Sequence, residues 1–162
     1  MGKSTVAAML FAHYKRRGIR VELAREQAKE LFYQGRDLQR NQILLLARQY
    51  QILKDMEAAG TELAISDSAL RLQCYYAEGQ PWFHPFAALV RGLREEFSEI
   101  DILLRRAVEY QNHGRAHSEA QAKEIDAAIT GHFDVELASP QPQDVIAALD
   151  PLVFGRLNAV SR

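Results

Sequence analysis

The first residues of the chain carry side chains suited to binding phosphate. Gly2, Lys3, Ser4 and Thr5 reproduce the end of the motif G-x-x-x-x-G-K-[ST], in which a glycine-rich loop and the following helix hold nucleotide phosphates. In that motif the glycine lets backbone N–H groups approach phosphate oxygens, the lysine reaches the β and γ phosphates, and the hydroxyl can ligate magnesium. The four residues therefore predict a site for a nucleotide polyphosphate and a divalent cation.

The same short string also has a purely structural interpretation. Four residues of this composition arise by chance, and Ser4 or Thr5 can simply cap a helix. Val6, Leu10 and Tyr14 follow at helical spacing, so the string opens a helix, which is where the phosphate motif ends. This context favours the phosphate-binding interpretation.

A second candidate side chain follows a short apolar segment in the middle of the chain. The segment 63–67 predicts a short apolar strand that ends in Asp67. The distance from Lys3 suits the magnesium-side carboxylate that accompanies the phosphate loop. A helix N-cap is the alternative role for Asp67, and one residue can fill both roles.

Four collinear blocks extend the pattern over nearly the whole chain: residues 2–31, 41–49, 64–70 and 105–126. With these blocks the sequence resembles the P-loop kinase-like ATP-binding proteins common in bacteriophages. Those proteins are related to the AAA-type domain also found in ribosylnicotinamide kinase, and more distantly to nucleoside monophosphate kinases. The resemblance implies a P-loop NTPase fold, with ATP and Mg²⁺ as ligands.

The resemblance also implies roles for individual side chains. Lys3 would contact the phosphates, and Ser4 the magnesium ion. Asp67 would be the catalytic or magnesium-side acid, and Glu26 would face the site as a second carboxylate. All of these roles serve phosphoryl transfer, which needs charge stabilisation and positioning more than covalent help.

A mobile lid over about residues 106–118 is a further implication of the resemblance. Arg106, Tyr110 and Arg115 match the R-x3-Y-x3-G-R spacing of such lids, in which the arginines close over the transferring phosphoryl group. Arg106 could instead pair at the surface with Glu109, an interaction of about 0 to 1 kcal/mol with no functional consequence. Gly114 before Arg115 favours the lid for the second arginine.

The chain departs from the family pattern at three places. The strand that precedes the loop, which is normally central in the sheet, and the first residues of the loop are expected to lie outside the sequence, so we expect a truncated first strand. Ala69 stands where the family usually has proline, and Gln27 where an aromatic residue is common. The last two changes concern substrate contacts more than the fold.

The elements that must position these residues alternate between helix and strand. Helices are predicted over residues 3–17 with Gly18 as the stop, 38–59, 86–97, 119–130 and from 140 onward; strands are predicted over 19–24, 63–67, 100–104 and 135–138. Strands joined by helical connections of ten or more residues indicate a parallel sheet. The predicted fold is a three-layer α/β sandwich with its first strand missing.

The helix predicted over residues 38–59 combines an apolar stripe with regularly spaced amides. The stripe comprises Ile43, Leu46, Ala47, Tyr50 and Leu53. Gln42 and Gln49 lie one heptad apart. They form either a polar edge directed at a base or acceptor, or a plain polar helix face, and the sequence does not decide between the two.

Composition bounds the remaining possibilities. The chain has 162 residues, of which 48% are hydrophobic, and a formal charge of −1. These values predict a single domain over residues 1–162 and argue against nonspecific nucleic-acid binding. Cys74 is the one cysteine, so there is no internal disulfide, and no apolar run approaches membrane length. We expect a cytoplasmic protein.

Together these features predict a magnesium-dependent ATP-binding protein that transfers the γ-phosphoryl group to a nucleoside, a nucleotide or a modified base. The acceptor is expected near Glu26, Asp67 and the helix that contains Gln49. A nucleic acid is expected as a partner only if it carries such a modified base. The alternatives are a P-loop ATPase or switch that acts on a partner, and an inactive fragment.

Overall fold

The computed structural model describes residues 2–25, 27–28, 31, 41–105, 133–137 and 141–160. Within these residues the elements are, in chain order, helix α1 (Lys3–Arg16), strand β1 (Val21–Ala24), helix α2 (Gln42–Ala58), strand β2 (Leu63–Ser66), helix α3 (Leu72–Ala77), helix α4 (Phe83–Glu95), strand β3 (Ile102–Leu104), strand β4 (Val135–Leu137) and helix α5 (Pro142–Val160). The predicted alternation of helix and strand is confirmed for this part of the chain.

Contacts divide the chain into two compact units. The middle unit is Ala7–Glu99, and the terminal unit combines Met1–Val6 with Ile100–Arg162. Helix α1 begins in the terminal unit and continues into the middle unit. The single domain over residues 1–162 stays a prediction.

Helix α1 ends as its glycine stop predicts. Gly18 adopts a φ of +80°, a conformation that costs glycine little and other residues more. The N–H of Gly18 donates to the carbonyl of Lys15 (3.1 Å), and the N–H of Ile19 donates to the carbonyl of Tyr14 (3.2 Å). These two bonds are those of a Schellman motif, which satisfies the last carbonyls of a helix.

Strands β1 and β2 form a parallel pair in the middle unit. Val21 lies opposite Leu63 and Ala24 opposite Ser66. Parallel neighbours need a crossover connection, and α2 lies within that connection and contacts β1. Val21 and Ala24 are almost fully buried and Leu23 is half-buried, so burial in this strand does not follow the apolar alternation that predicted it.

The buried face of α2 differs from the predicted apolar stripe. The helix begins at Gln42, not at residue 38, because the Asn41 side chain caps it by accepting a hydrogen bond from the N–H of Leu44 (3.1 Å). Its buried residues are Gln42, Leu45, Leu46 and Gln49. Ile43, which the stripe placed inside, is 53% exposed. Both glutamines therefore point inward, and a plain solvated face for them is wrong.

Helices α3 and α4 close the core of the middle unit against α2. The buried cluster consists of Leu46, Leu70, Ala77, Phe86 and Val90. Helix α4 begins at Phe83, three residues before its predicted start, because Pro85 does not break the chain. Proline is tolerated in the first turn of a helix, where its missing N–H would have no helical partner.

The terminal unit contains a second parallel pair and the last helix. Ile102 lies opposite Val135 in the β3–β4 pair. Helix α5 contacts β4 and buries Val145, Leu149 and Val153, which recur every four residues. The described strands thus form two parallel pairs, one in each unit, and the three-layer sandwich stays a prediction. Among the described residues, no helix is both long and apolar enough to cross a membrane.

Candidate functional site

The start of α1 presents the sequence motif to solvent. The N–H of Val6 donates to the carbonyl of Gly2 (3.0 Å), so Gly2 lies at the start of the first helical turn. Lys3, Ser4 and Thr5 are exposed, and the first turn contains no acidic residue. The positive end of the helix dipole and the Lys3 ammonium therefore act on the same region, which suits an anion.

Gly2 has no steric reason to be glycine among the described residues. A Cβ added there would meet no atom within 4 Å. The backbone before the helix is thus open on that side, which is compatible with a ligand that approaches the main chain closely.

Asp67 lies directly after β2, within a tight turn held by a hydroxyl. Ser66 Oγ donates to the carbonyl oxygen of Ser68 (2.8 Å) and accepts from the N–H of Ser68 (3.2 Å). Because both bonds span Asp67, they fix the backbone that carries its carboxylate. One oxygen of that carboxylate, Oδ1, is buried.

Gln49 connects this turn to the interior of the middle unit. Its Nε2 donates to Ser66 Oγ (3.1 Å), and the side chain is only 2% exposed. The residue belongs to the inward face of α2, so a helix that packs in the core reaches the carboxyl end of β2. One of the two predicted alternatives for Gln49, a polar edge near the site, agrees with this position.

The oxygen donors at the two places suit magnesium. A hydroxyl from Ser4 and a carboxylate from Asp67 are hard ligands of the kind that Mg²⁺ prefers. Among the residues that the structure describes, no group of three or more His, Cys, Asp or Glu side chains could hold a metal on its own.

Cys74 is unsuited to nucleophilic chemistry. Burial raises the pKa of its thiol, and Arg94 and Arg71 only partly oppose that effect. A raised pKa lowers the thiolate fraction, and the thiolate is the reactive form.

A cavity of about 520 Å³ lies at the amino ends of β1 and β2, the ends away from Asp67. Its lining includes Arg20 before β1, Thr61 before β2, and Lys15 and Met56 near the ends of α1 and α2. Nucleotides in parallel α/β folds bind at the carboxyl ends of the strands, and this cavity is at the amino ends. It is therefore not the nucleotide site.

Comparison with protein families identifies the class of the chain. The family described as AAA domain matches residues 1–135, a range that includes the start of α1 and the turn with Asp67. The chain belongs to the AAA domain family. No curated protein and no solved structure matches it. Membership confirms the predicted AAA-type P-loop domain, its α/β class and nucleotide binding. The closer relation to phage proteins and ribosylnicotinamide kinase stays a prediction.

Several predicted site residues of the AAA domain lie outside the described residues. These are Glu26, Arg106, Tyr110 and Arg115, with the lid over residues 106–118. Of the others, Gly2, Lys3, Ser4 and Thr5 lie together at the start of α1 in the terminal unit, and Asp67 lies in the middle unit. The structure thus gathers the phosphate motif in one turn and places Asp67 in a turn held by Ser66 and Ser68.

The sequence did not reveal the hydrogen bonds that hold the turn around Asp67 in this AAA domain. Ser66 and Ser68 flank the carboxylate, and hydroxyls beside an acidic residue are a weak signal of a turn. The bond from Gln49 joins residues 17 positions apart in the chain, so it depends on tertiary packing. The heptad spacing of Gln42 and Gln49 was the one signal that pointed to it.

Proposed function

We propose that this AAA domain binds ATP with Mg²⁺ at the start of α1 and transfers the γ-phosphoryl group to a nucleoside, a nucleotide or a modified base. One observation carries the proposal: Lys3 and Ser4 open a helix whose first turn is exposed and free of acidic residues, in a chain of the AAA domain family. This combination favours a polyphosphate over a neutral ligand.

Lys3 neutralises charge on the β and γ phosphates in this proposal. An ammonium is a compact donor that suits phosphate, and the N–H groups of the first turn add directed donors. Charge-assisted hydrogen bonds of this kind contribute about 1.5 to 3 kcal/mol each. Their joint effect is to hold the phosphates in place at the start of α1.

The sequence resemblance assigns Ser4 and Asp67 as the residues that would hold magnesium. When bound, the ion neutralises phosphate charge and orients the γ-phosphoryl group. Ser4 supplies a hydroxyl oxygen from the first turn of α1, and Asp67 supplies a carboxylate from the end of β2. The turn around Asp67 limits the positions that its carboxylate can take, which lowers the cost of ordering it.

The acceptor would approach the carboxyl end of β2, where Asp67 and the inward face of α2 meet. Glu26 is proposed as a second carboxylate on the acceptor side. Arg106 and Arg115 are proposed to stabilise the charge that develops during transfer, as lid arginines do. These three assignments rest on the sequence resemblance.

A transfer assay with labelled ATP tests the proposal. The chain is incubated with Mg²⁺ and γ-labelled ATP, with a panel of nucleosides, nucleotides and modified bases, and with no acceptor. We expect label in at least one acceptor, and loss of at least a hundredfold in transfer rate for Asp67→Asn. Asp55→Asn changes an exposed aspartate on α2 and serves as the matched control, with a rate within twofold of the wild type.

Two other outcomes of this assay contradict the proposal in different ways. Release of ADP at one rate with every acceptor and with none would favour an ATPase switch that acts on a partner. Absence of both ADP release and ATP binding would remove the catalytic proposal altogether.

A further inference from the structure

We propose that Gln49 is a positioning residue for Asp67 and acts through the hydroxyl of Ser66. The inference rests on the proposed function, because it assumes that Asp67 serves magnesium. It assigns to a buried amide on α2 the task of keeping the carboxylate in one orientation.

The hydrogen-bonding capacity of Ser66 supports this role. A hydroxyl has one proton to donate and two lone pairs to accept with. Ser66 Oγ donates its proton to the carbonyl of Ser68 and accepts from the N–H of Ser68 and from Gln49 Nε2. All three capacities are used, so the hydroxyl is held at the point where the turn, strand β2 and α2 meet.

The burial of Gln49 leaves its amide few other partners. Its side chain is 2% exposed, so water has little access to the amide, whereas Ser66, which accepts its bond, is exposed. Gln51 on the same helix provides the contrast. It is exposed, and its Nε2 donates to Asp55 Oδ1 (2.7 Å) along the helix surface.

The chemistry at this point specifies an amide at position 49. Because Ser66 uses its proton on the carbonyl of Ser68, the side chain at position 49 must offer a donor. An ionised glutamate has none, methionine has none, and asparagine is one methylene shorter. Glutamine has both the length and the N–H.

The experiment compares Gln49→Met with Gln51→Met, two substitutions of the same type on the same helix. The first readout is the exchange rate of the Ser68 amide proton, measured by NMR without nucleotide. The second is the Mg²⁺ concentration that gives half-maximal binding of a fluorescent ATP analogue. For Gln49→Met we expect the exchange rate and the required Mg²⁺ concentration each to rise about fivefold, which corresponds to the loss of one hydrogen bond. Affinity for the analogue without Mg²⁺ should not change.

Gln51→Met should leave both readouts within twofold of the wild type. Ser66→Ala should raise the Mg²⁺ requirement at least as much as Gln49→Met. Adding Gln49→Met to Ser66→Ala should add little, because both substitutions remove the same connection.

The outcomes separate this inference from the proposed function. A wild type whose nucleotide binding ignores Mg²⁺ overturns the proposed function and the inference with it. Magnesium-dependent binding in the wild type, with equal Mg²⁺ requirements in Gln49→Met and Gln51→Met, overturns the inference alone. Where Gln49→Met does not fold, Ser66→Ala decides: a raised Mg²⁺ requirement supports the inference, and an unchanged one overturns it.

Discussion

The two ends of the β1–β2 pair are held by different kinds of interaction. At the amino end, charged side chains pair in solvent. Arg20 Nε donates to the carbonyl of Gly60 (2.7 Å), an Arg20 guanidinium nitrogen lies 3.5 Å from Glu62, and Lys15 lies 3.4 Å from Glu22. Water can take over each of these contacts, so any one of them contributes little to stability.

At the carboxyl end, uncharged groups form the connections and one of them is buried. Gln49 donates to Ser66, and Ser66 in turn bonds the backbone of Ser68 on the far side of Asp67. A buried polar group that loses its partner costs about 1 to 3 kcal/mol, because water does not replace the bond. Loss of a contact should therefore cost little stability at the amino end of the two strands, which we call the tolerant end, and more at the carboxyl end, the sensitive end.

The difference indicates where a site can be built with precision. Mobile, solvated ion pairs leave the positions of side chains loosely defined. The hydroxyl of Ser66, which uses all of its hydrogen-bonding capacity, and the buried amide of Gln49 hold the backbone turn that carries the Asp67 carboxylate. The sensitive end is also the end at which parallel sheets bind nucleotides.

The largest loss of stability is expected at the carboxyl end, from Gln49→Glu. A carboxylate at this buried position should lower the free energy of unfolding by about 3 kcal/mol at pH 7, since burial disfavours the charged form. Burial raises the pKa of the new carboxyl above its value of about 4.3 in the unfolded chain. Protonation therefore favours the folded state, and the loss should shrink as the pH falls toward about 5. Urea unfolding at several pH values measures it.

The matched control for that substitution is Gln51→Glu on the exposed side of α2. It should change the free energy of unfolding by no more than about 0.5 kcal/mol, which is the usual repulsion between two like charges one helical turn apart, here with Asp55. Equal losses for the two variants would show that the carboxyl end is no more sensitive than the surface.

An intermediate effect is expected at the amino end from Gly60→Ala. Gly60 has a φ of +80°, and a Cβ there would meet no atom within 4 Å. The substitution is therefore unfavourable only because of the backbone conformation, and we expect the free energy of unfolding to fall by about 1 kcal/mol. A Cβ at Gly92 within α4 would also meet no atom within 4 Å, and Gly92 does not have a positive φ. Gly92→Ala should therefore raise the free energy of unfolding by about 0.5 kcal/mol. Thermal unfolding followed by circular dichroism compares the two, and a loss at both positions would contradict the conformational explanation.

The smallest effect is expected from Arg20→Met. The substitution keeps an unbranched apolar stem and removes the side-chain contacts with Gly60 and Glu62, while the backbone N–H of residue 20 still donates to Glu62 (2.9 Å). Because these contacts are exposed, the free energy of unfolding should fall by less than about 1 kcal/mol, and less at high salt. Urea unfolding at low and high ionic strength measures the change. A loss as large as that of Gln49→Glu would remove the distinction between the two ends.

Local signals explain how much of the fold could be predicted. Gly18 and Gly60 end helices by a conformation that glycine adopts readily. Strand β1 lies within the predicted range 19–24, although its burial does not follow the apolar alternation. The start of α4 was placed late because Pro85 was interpreted as a break, although a first helical turn accepts proline. The face of α2 was misplaced because buried polar residues are rare and periodicity counts apolar ones.

The sequence predicted candidate site residues only where a residue of a suitable type stands at the end of a predicted helix or strand. Lys3 and Asp67 stand at the ends of regular elements, and their residue types match the motif. The link from Gln49 to Ser66 was not predictable, since it requires knowing which face of α2 lies over the end of β2. Such a contact arises from packing, and the heptad spacing of Gln42 and Gln49 marks the residues without showing what they contact.

Calorimetric titration with ATP and Mg²⁺ is the most direct test of phosphate binding at the start of α1. The comparison is between Lys3→Ala and Lys15→Ala, which remove the same charge from opposite ends of one helix. We expect Lys3→Ala to weaken ATP binding by at least tenfold, the loss of one charge-assisted bond to phosphate, and Lys15→Ala to change it by less than twofold. Unchanged ATP affinity in Lys3→Ala would contradict the proposed phosphate site.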